Sequence, residues 1–209
     1  MGYKNLDMPK VEEAVKNLLV ALGEDANREG LKETPRRVAK YWAELLEGED
    51  YTNQEIAEKF KKYFEVGFDS VVIKECNSIF STCEHHMALM YNGQVYVAYM
   101  PVQVDPSDPD SPYRVIGLSK IPRIVDMCSK RLQLQEKLNA DIAECIQLAT
   151  GSNQVYVRSI MDHGCVSARG AHSSGVTDVT FMTPELRADK EMRKEIESKV
   201  QELHLSSKR

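Results

Sequence analysis

No stretch of this chain approaches the length and apolarity of a membrane span. The opening residues, Met1-Gly2-Tyr3-Lys4-Asn5, lack the apolar run of a secretory signal. Met1-Gly2 begins like a myristoylation site, but Leu6 stands where a hydroxyl residue is needed, so no lipid anchor is expected. Cysteine is scarce and odd in number, five in 209 residues, and not arranged as a disulfide framework. A reducing, cytoplasmic setting is therefore expected. Positive charge is also short: 27 Lys and Arg against 32 Asp and Glu leave a formal net charge of -5. That balance argues against non-specific nucleic-acid binding, so neither a nucleic-acid nor a membrane partner is expected. An anionic substrate must be met by a local basic cluster instead. Internal repeats and low-complexity runs are missing, and the length suits one domain with a small appendage.

The few histidines and cysteines are concentrated. Ser81-Thr82-Cys83-Glu84-His85-His86 holds two of the five histidines and one of the five cysteines. Cys83 and His86 are three apart, so one tight turn can aim both at a single point, and thiolate with imidazole is a preferred zinc pair. The best source of a third ligand is His163-Gly164-Cys165. Zinc on Cys83, His86 and Cys165 would leave the fourth tetrahedral position for water, as in catalytic sites. His85 and His163 would flank the metal, where general acids and bases belong. Spacing alone leaves two other readings open: Cys76 could complete a four-ligand structural site, or the cysteines could be buried and inert. The unused histidines in both clusters tilt the balance toward chemistry.

Pro9 to Leu22 reads as an amphipathic helix with Val11, Ala14, Val15, Leu18, Leu19 and Leu22 on one face and Gly23 at its exit. A second helix is expected with Thr34 as N-cap and Pro35 at its first position, ending at Gly48. After Gly67 the pattern changes to strands: Val71–Glu75, Ser78–Thr82, and Gly93–Met100 behind an Asn92-Gly93 hairpin turn. Val104 to Tyr113 is a loop rich in Pro and Asp. Ser119 is the expected N-cap of a helix burying Ile121, Ile124, Val125 and Cys128. A further helix over about 135–150 buries Leu138, Ile142, Cys145, Ile146 and Ala149. Strands are expected over Gln154–Met161 and Val176–Thr183, and Thr183-Pro184 opens a charged C-terminal helix on which His204 is solvated. The order predicts an α+β fold with helices on one face of an antiparallel sheet. Residues 1–66 are expected to form an N-terminal helical region and 67–209 the catalytic domain.

Two further patches carry chemistry. Ser119, Lys120 and Arg123 fall in one first helical turn, where exposed N–H groups and the helix dipole attract anions. Cations there oppose the dipole, which makes an anionic ligand a better explanation than an ordinary basic helix start. Arg169, four residues after Cys165, can add charge to the same place. Gln135-Glu136 opens the next helix: a carboxylate can accept two parallel bonds from guanine's ring N–H and exocyclic amine, which adenine does not offer. By itself the pair reads more simply as acidic charge at a helix start.

Five motifs in one order resemble the GTP cyclohydrolase I family. They are Glu33-Thr34-Pro35-Arg36-Arg37-Val38-Ala39-Lys40, the turn Ser81–His86, and Val115-Ile116-Gly117-Leu118-Ser119-Lys120 with Arg123. Arg131-Leu132-Gln133-Leu134-Gln135-Glu136-Lys137-Leu138 and His163-Gly164-Cys165-Val166-Ser167-Ala168-Arg169-Gly170 complete the set. The resemblance implies zinc on Cys83, His86 and Cys165, and proton transfer by His85 and His163. It implies guanine recognition by Glu136 with Gln135, and triphosphate contacts from Arg37, Lys120, Arg123 and Arg169, with Ser119 near the ribose or phosphates. It implies hydrolysis of GTP at C8, release of formate, and rearrangement to 7,8-dihydroneopterin triphosphate, a step of pterin and tetrahydrofolate biosynthesis. The implied fold is the tunnelling fold, a four-stranded antiparallel sheet backed by helices. Subunit sheets would join into pentameric barrels, stacked as a homodecamer with sites at subunit interfaces.

The chain departs from the family's pattern in three places. The link between Pro101 and Val115 is long, Ser167 stands where a longer basic side chain is common, and Thr183-Pro184-Glu185-Leu186 replaces a glycine-containing segment. The acidic loop reads as a solvated insertion rather than a Mg²⁺ site, because carboxylates near a triphosphate repel it unless a cation intervenes. A zinc deaminase is the nearest rival chemistry, and its H-x-E and P-C-x-x-C signatures are missing. A non-catalytic purine or pterin binder is the rival of a different class, yet every metal and proton-transfer residue of the family is present.

Overall fold

Five consecutive residues, Val95 to Tyr99, are completely buried. Side chains of a strand alternate between faces, so such a run requires cover on both sides. The computed structural model, which describes residues 5–67 and 69–207, provides it. The first four residues, on which the readings of a signal and an anchor turned, lie outside the described residues. Among those described, no helix is long and apolar enough to cross a membrane.

The chain divides into two units, Met1–Asp50 and Tyr51–Arg209. The first contains α1 (Met8–Ala21) and α2 (Thr34–Leu45), which pack together, and a 3-10 turn over Glu47–Asp50. The second runs α3 (Asn53–Phe60), β1 (Tyr63–Val66), β2 (Val72–Cys83), β3 (Leu89–Tyr99), β4 (Val102–Gln103), β5 (Tyr113–Ile116) and α4 (Lys120–Ser129). It continues with β6 (Leu132–Gln133), α5 (Gln135–Thr150), β7 (Val155–His163), α6 (Gly164–Ser167), β8 (Val176–Met182), α7 (Pro184–Ala188) and α8 (Lys190–Ser206). The protein is α+β.

In the first unit Asp7 caps α1 by accepting from the Lys10 N–H, and no α1 residue is fully buried. Val11, Val15 and Leu19, four apart, are half-buried, whereas Leu18, Val20 and Leu22 stay exposed. Thr34 is not the expected N-cap of α2. The preceding Arg28–Thr34 segment is already coiled, with Glu33 at φ -95, ψ -6, so no extended residue is available to turn a side chain back onto the helix. The expected end at Gly48 also moves, because Leu45 closes the α-helix and Gly48 lies in the 3-10 turn.

The main sheet of the second unit has the order β6-β2-β3-β7-β8. Its four long strands are antiparallel, and β6 pairs parallel with the end of β2. Two expected short strands prove to be one, β2, bent by bulges with Ser78 at φ 59. Asn92-Gly93 is not a hairpin turn but a bulge within β3, with Asn92 at φ 53. Gly93 faces Ile79, where an added Cβ would lie 2.6 Å from the Ile79 carbonyl oxygen, so only glycine lets the two backbones approach this closely.

Val95, Val97, Tyr99, Val155, Val157 and Met161 face a core shared with Ile56 of α3 and the buried faces of α4 and α5. Tyr96, Ala98, Tyr156 and Ile160 point the other way, onto Leu186, Ile196 and Val200 of α7 and α8. Helices thus cover both faces, not one as the element order suggested. His204, expected to be solvated, is 7% exposed with Nδ1 2.9 Å from Tyr96 Oη. The reason is helical spacing: Ile196, Val200 and His204 are four apart and form one inward stripe. The C-terminal helix is also broken in two at Asp189, whose carboxylate caps α8 at Met192 N–H and accepts from Gln154 Nε2.

α3 and the small sheet β1-β5-β4 are additions to the reading of the sequence. The signal for α3 was available, since Thr52 and Glu55 form a reciprocal capping box. The long loop 104–112 is the tip of the β4–β5 pair. Asp105 accepts from the Ser107 N–H and Oγ, and Asp108 from the Asp110 N–H, so two of its carboxylates serve the loop's own turns.

α5 is tied to α3 by buried charge. Arg131, 7% exposed, donates to Asp141 at 2.7 Å, to Asn53 Oδ1 at 2.8 Å and to the Tyr51 carbonyl at 2.8 Å. Asp141 also receives Lys137, whose side chain is 56% exposed. Removing one member of a buried pair strands the other. Asp141→Ala is expected to lower unfolding free energy by about 3–5 kcal/mol, whereas Lys137→Met should cost under about 1 kcal/mol. Denaturant midpoints of the two variants measure the difference, and equal midpoints would remove the Arg131 network from the fold's stabilising core.

Candidate metal centre

The sheet register assembles the site. Ser81 pairs with Met90 across β2 and β3, and Met90 pairs with His163 across β3 and β7. The β2–β3 connection and the end of β7 therefore leave the sheet at the same edge, two strand spacings or about 10 Å apart. The first connection is a closed turn: Met87 N–H donates to Cys83 O and Cys83 N–H to Ala88 O, each at 2.9 Å. Met87 takes the left-handed conformation, φ 51, that reverses the chain. Glu84 N–H donates to the Gln133 carbonyl of β6, fastening the turn to the sheet edge. After β7 the chain coils at once into α6, and Gly164 lets it pass against β3, since a Cβ there would stand 3.1 Å from the Leu89 carbonyl oxygen.

These two pieces of backbone bring Cys83, His86 and Cys165 together, with one potential ligand atom from each lying within 4.8 Å of the others. Cys83 is buried, Cys165 half-buried and His86 exposed, so the group opens to solvent on the imidazole side. Burial, and then the neighbouring Cys83 thiol, hold the Cys165 thiol above its ordinary range. Two soft sulfurs and one imidazole make a donor set suited to zinc. Cys76 is not among them. It lies on β2 beneath the sheet's helices, and burial pushes its thiol up to about 11. Cys128 and Cys145 are buried between α4 and α5, their sulfurs 3.6 Å apart.

The surrounding residues differ in how closely they approach. His163 Nε2 lies 2.7 Å from Gln135 Oε1, and Gln135 is 2% exposed. Glu136, next on α5, is exposed. His85 is exposed, its Nε2 3.9 Å from a Glu84 carboxylate oxygen, and its ring centroid is 6.4 Å from that of His86. Arg169 Nη1 reaches His86 Nε2 at 3.2 Å. Ser167 donates to the His163 carbonyl at 3.1 Å and lies 3.4 Å from Tyr91 Oη.

Ser119, Lys120 and Arg123 belong to a separate element, α4. The C-terminal end of α4 meets β2, where Ser81 Oγ donates to the Ser129 carbonyl at 2.7 Å. Ser119, Lys120 and Arg123 lie toward the helix's other end, up to about 14 Å away along its axis. Ser119 makes no side-chain capping bond, so its hydroxyl is not spent on the helix start. Arg37 belongs to α2 of the first unit, where it is exposed.

Sequence reasoning missed Gln133, fully buried, whose Nε2 donates to Ser81 Oγ at 2.9 Å and to the Cys128 carbonyl at 2.8 Å, bracing the strand that ends in Cys83. It also missed the link from Gln135 to His163. Neither has a local signal, because each partner comes from a distant element.

Comparison with known proteins agrees in one direction. The GTP cyclohydrolase I family model matches residues 11–201. A GTP cyclohydrolase 1 of Clostridium botulinum (strain Kyoto / Type A2) is 46% identical over 182 residues, 84% of this chain and 87% of the relative. One of Clostridium beijerinckii is 42% identical over 200 residues, 92% of this chain and 96% of the relative. One of Clostridium acetobutylicum is 44% identical over 182 residues, covering 85% and 88%. A match that runs through both units and nearly the full length of these relatives is one of whole chains and not of a borrowed motif: this chain belongs to the GTP cyclohydrolase I family.

Proposed function

We propose that the protein is a GTP cyclohydrolase that opens the guanine imidazole ring of GTP, releases formate and forms 7,8-dihydroneopterin triphosphate with zinc at Cys83, His86 and Cys165. The observation that carries this reading is the convergence of those three ligand atoms within 4.8 Å in a chain of this family. Zinc held there supplies Lewis-acid activation of water near neutral pH. His163, anchored beside the cluster, carries protons at the ring nitrogens of the purine, and His85 serves the ribose side. Glu136 accepts the paired donors of guanine; Gln135, expected to join it at the base, has its amide engaged with Ser159, Thr177 and His163 instead. Arg169, Lys120, Arg123 and Arg37 take the triphosphate, and Ser119 the neighbouring ribose or phosphate oxygens. Binding energy from those phosphates, far from the reacting carbon, is available to hold the base in place.

The same geometry supports the quaternary reading. Lys120 and Arg123 stand toward the far end of α4 from the metal group, which supports a site completed by a second copy of the chain. β8 is the last strand of its sheet, and β6 covers only the end of β2, so both sides of the sheet offer backbone for pairing. Such edges suit the tunnelling fold, in which subunit sheets join into pentameric barrels stacked as a decamer. The catalytic domain of this reading, expected over 67–209 behind a helical region 1–66, also takes in α3, whose Ile56 lies in its core, and β1, which pairs with β5.

The first test is direct: purified protein with GTP should release formate and produce pterin fluorescence. Cys165→Ser should lose both bound zinc and activity, while His163→Ala should keep zinc and lose turnover. Metal analysis finding His163→Ala folded but devoid of zinc would reverse the roles of ligand and proton carrier.

Glu136→Gln replaces an acceptor with a donor that faces a guanine donor. A mismatch between polar groups that the bound base would cover costs on the order of 1–3 kcal/mol, so GTP binding should weaken at least about tenfold, with ATP remaining a non-substrate. Unchanged GTP affinity would remove Glu136 from the base pocket.

Metal uptake should depend on pH. Because the Cys165 thiol is raised, it keeps its proton to higher pH in the metal-free site, and a thiolate ligand must lose that proton. Apparent zinc affinity, measured by competition with a chelator, should therefore rise between about pH 6 and pH 8 with release of protons. A flat profile would mean that zinc binds without either thiolate, and a Cys165→Ser variant with the wild-type slope would mean that Cys165 releases no proton.

A further inference from the structure

Gln135 is the first residue of α5 and 2% exposed, and every hydrogen bond of its side chain is made inside the protein. Its Nε2 lies 3.0 Å from the Ser159 carbonyl, 2.9 Å from Ser159 Oγ and 3.2 Å from the Thr177 carbonyl. Carbonyl oxygens only accept, so the amide nitrogen must face them. The flipped amide would set Oε1 against two carbonyl oxygens. Oε1 is thereby directed at His163 Nε2, 2.7 Å away. An amide oxygen cannot donate, so the hydrogen in that bond belongs to His163.

We propose that Gln135 is a positioning residue for catalysis: it holds His163 in the Nε2–H tautomer and leaves Nδ1 as the nitrogen that exchanges protons with substrate. This rests on the reading of His163 as the proton carrier. The chain of constraint is complete from backbone to imidazole. β7 and β8 fix the carbonyls of Ser159 and Thr177, those carbonyls fix the amide, and the amide fixes the ring. Because Nε2 donates to Gln135 whether or not Nδ1 carries a proton, the ring keeps its anchor while Nδ1 gains or gives one. An imidazole bound only to water would exchange tautomers and rotate, and proton transfer requires both the right nitrogen and the right direction.

α5 contains the control. Asn139, one helical turn on, donates Nδ2 to the Val179 carbonyl at 2.9 Å, two residues along β8 from Thr177. It clasps the same strand without touching His163, so a loss through loosening of β8 appears in both variants, and a loss through His163 appears in one.

The test uses zinc-loaded enzyme labelled with ¹⁵N-histidine, His163 being assigned by its disappearance in His163→Ala. The wild type should show one protonated and one unprotonated ring nitrogen well separated in shift, with the proton on Nε2. Gln135→Met, close in shape but unable to make these bonds, should draw the two signals together as the tautomers interchange. Its kcat should fall at least about tenfold, since a positioned proton carrier contributes roughly 10²–10⁴-fold, and KM for GTP should stay within about threefold, as expected when an interaction of the transition state alone is lost. Asn139→Ala should leave both the nitrogen signature and kcat near wild type. Wild-type His163 with its proton on Nδ1, or with interchanging tautomers, overturns the proposal even if Gln135→Met does not fold. So does a Gln135→Met that changes KM alone, or an Asn139→Ala that matches it in kcat. Wild-type enzyme that holds the tautomer but does not convert GTP would instead overturn the functional reading.

Discussion

The register of three strands is the constraint on which the remainder depends. Ser81, Met90 and His163 form one row across β2, β3 and β7, and the two halves of the metal group leave the sheet just beyond that row. A slip of one residue would turn each side chain to the opposite face. Gly93 helps to pin the row, because its bulge fits against the Ile79 carbonyl at a distance no other residue permits. The cover of both faces adds to this. β3 has Val95, Val97 and Tyr99 committed to the α4–α5 side and Tyr96 and Ala98 to the α8 side, so neither half of the alternation is free to shift.

α5 carries that register into the site. Its middle is core, with Leu138, Ile142, Ile146 and Ala149 fully buried, and Asp141 holds the Arg131 network that ties it to α3. Its first residue, Gln135, binds β7 and β8 backbone on one side and His163 on the other, and its second, Glu136, faces outward. One rigid helix thus sets both a buried amide and an exposed carboxylate relative to the sheet edge. Rigid elements place side chains more closely than loops do.

Charge is organised locally against the global field. The net charge is -5, yet Arg169 stands at the metal group and Lys120 and Arg123 share the start of one helix. Asp105 and Asp108 of the long loop accept hydrogen bonds within that loop's own turns. Positive charge is thus set in two places, beside the Cys83, His86 and Cys165 group and at the start of α4, in a chain that is acidic overall.

The sequence alone was enough for everything that depends on short separations. Cys83 and His86 need only one turn to converge, and the buried stripes of α4 and α5 follow from helical periodicity. The α+β class followed from element order. Where local rules failed, the cause was tertiary: Asn92-Gly93 has the composition of a hairpin turn but serves as a bulge because the chain continues through it beside Ile79. His204 was read as solvated because a charged helix hid the stripe that Ile196 and Val200 begin, and only the second face of the sheet reveals it. The sequence determined which residue types the candidate site contains, since its cysteines and histidines are concentrated in two short clusters. Tertiary structure alone decided that Cys165 stands beside Cys83, that Cys76 does not, and that Gln135 turns its amide to His163. Those meetings depend on strand register and helix docking between distant segments, and no local propensity encodes them.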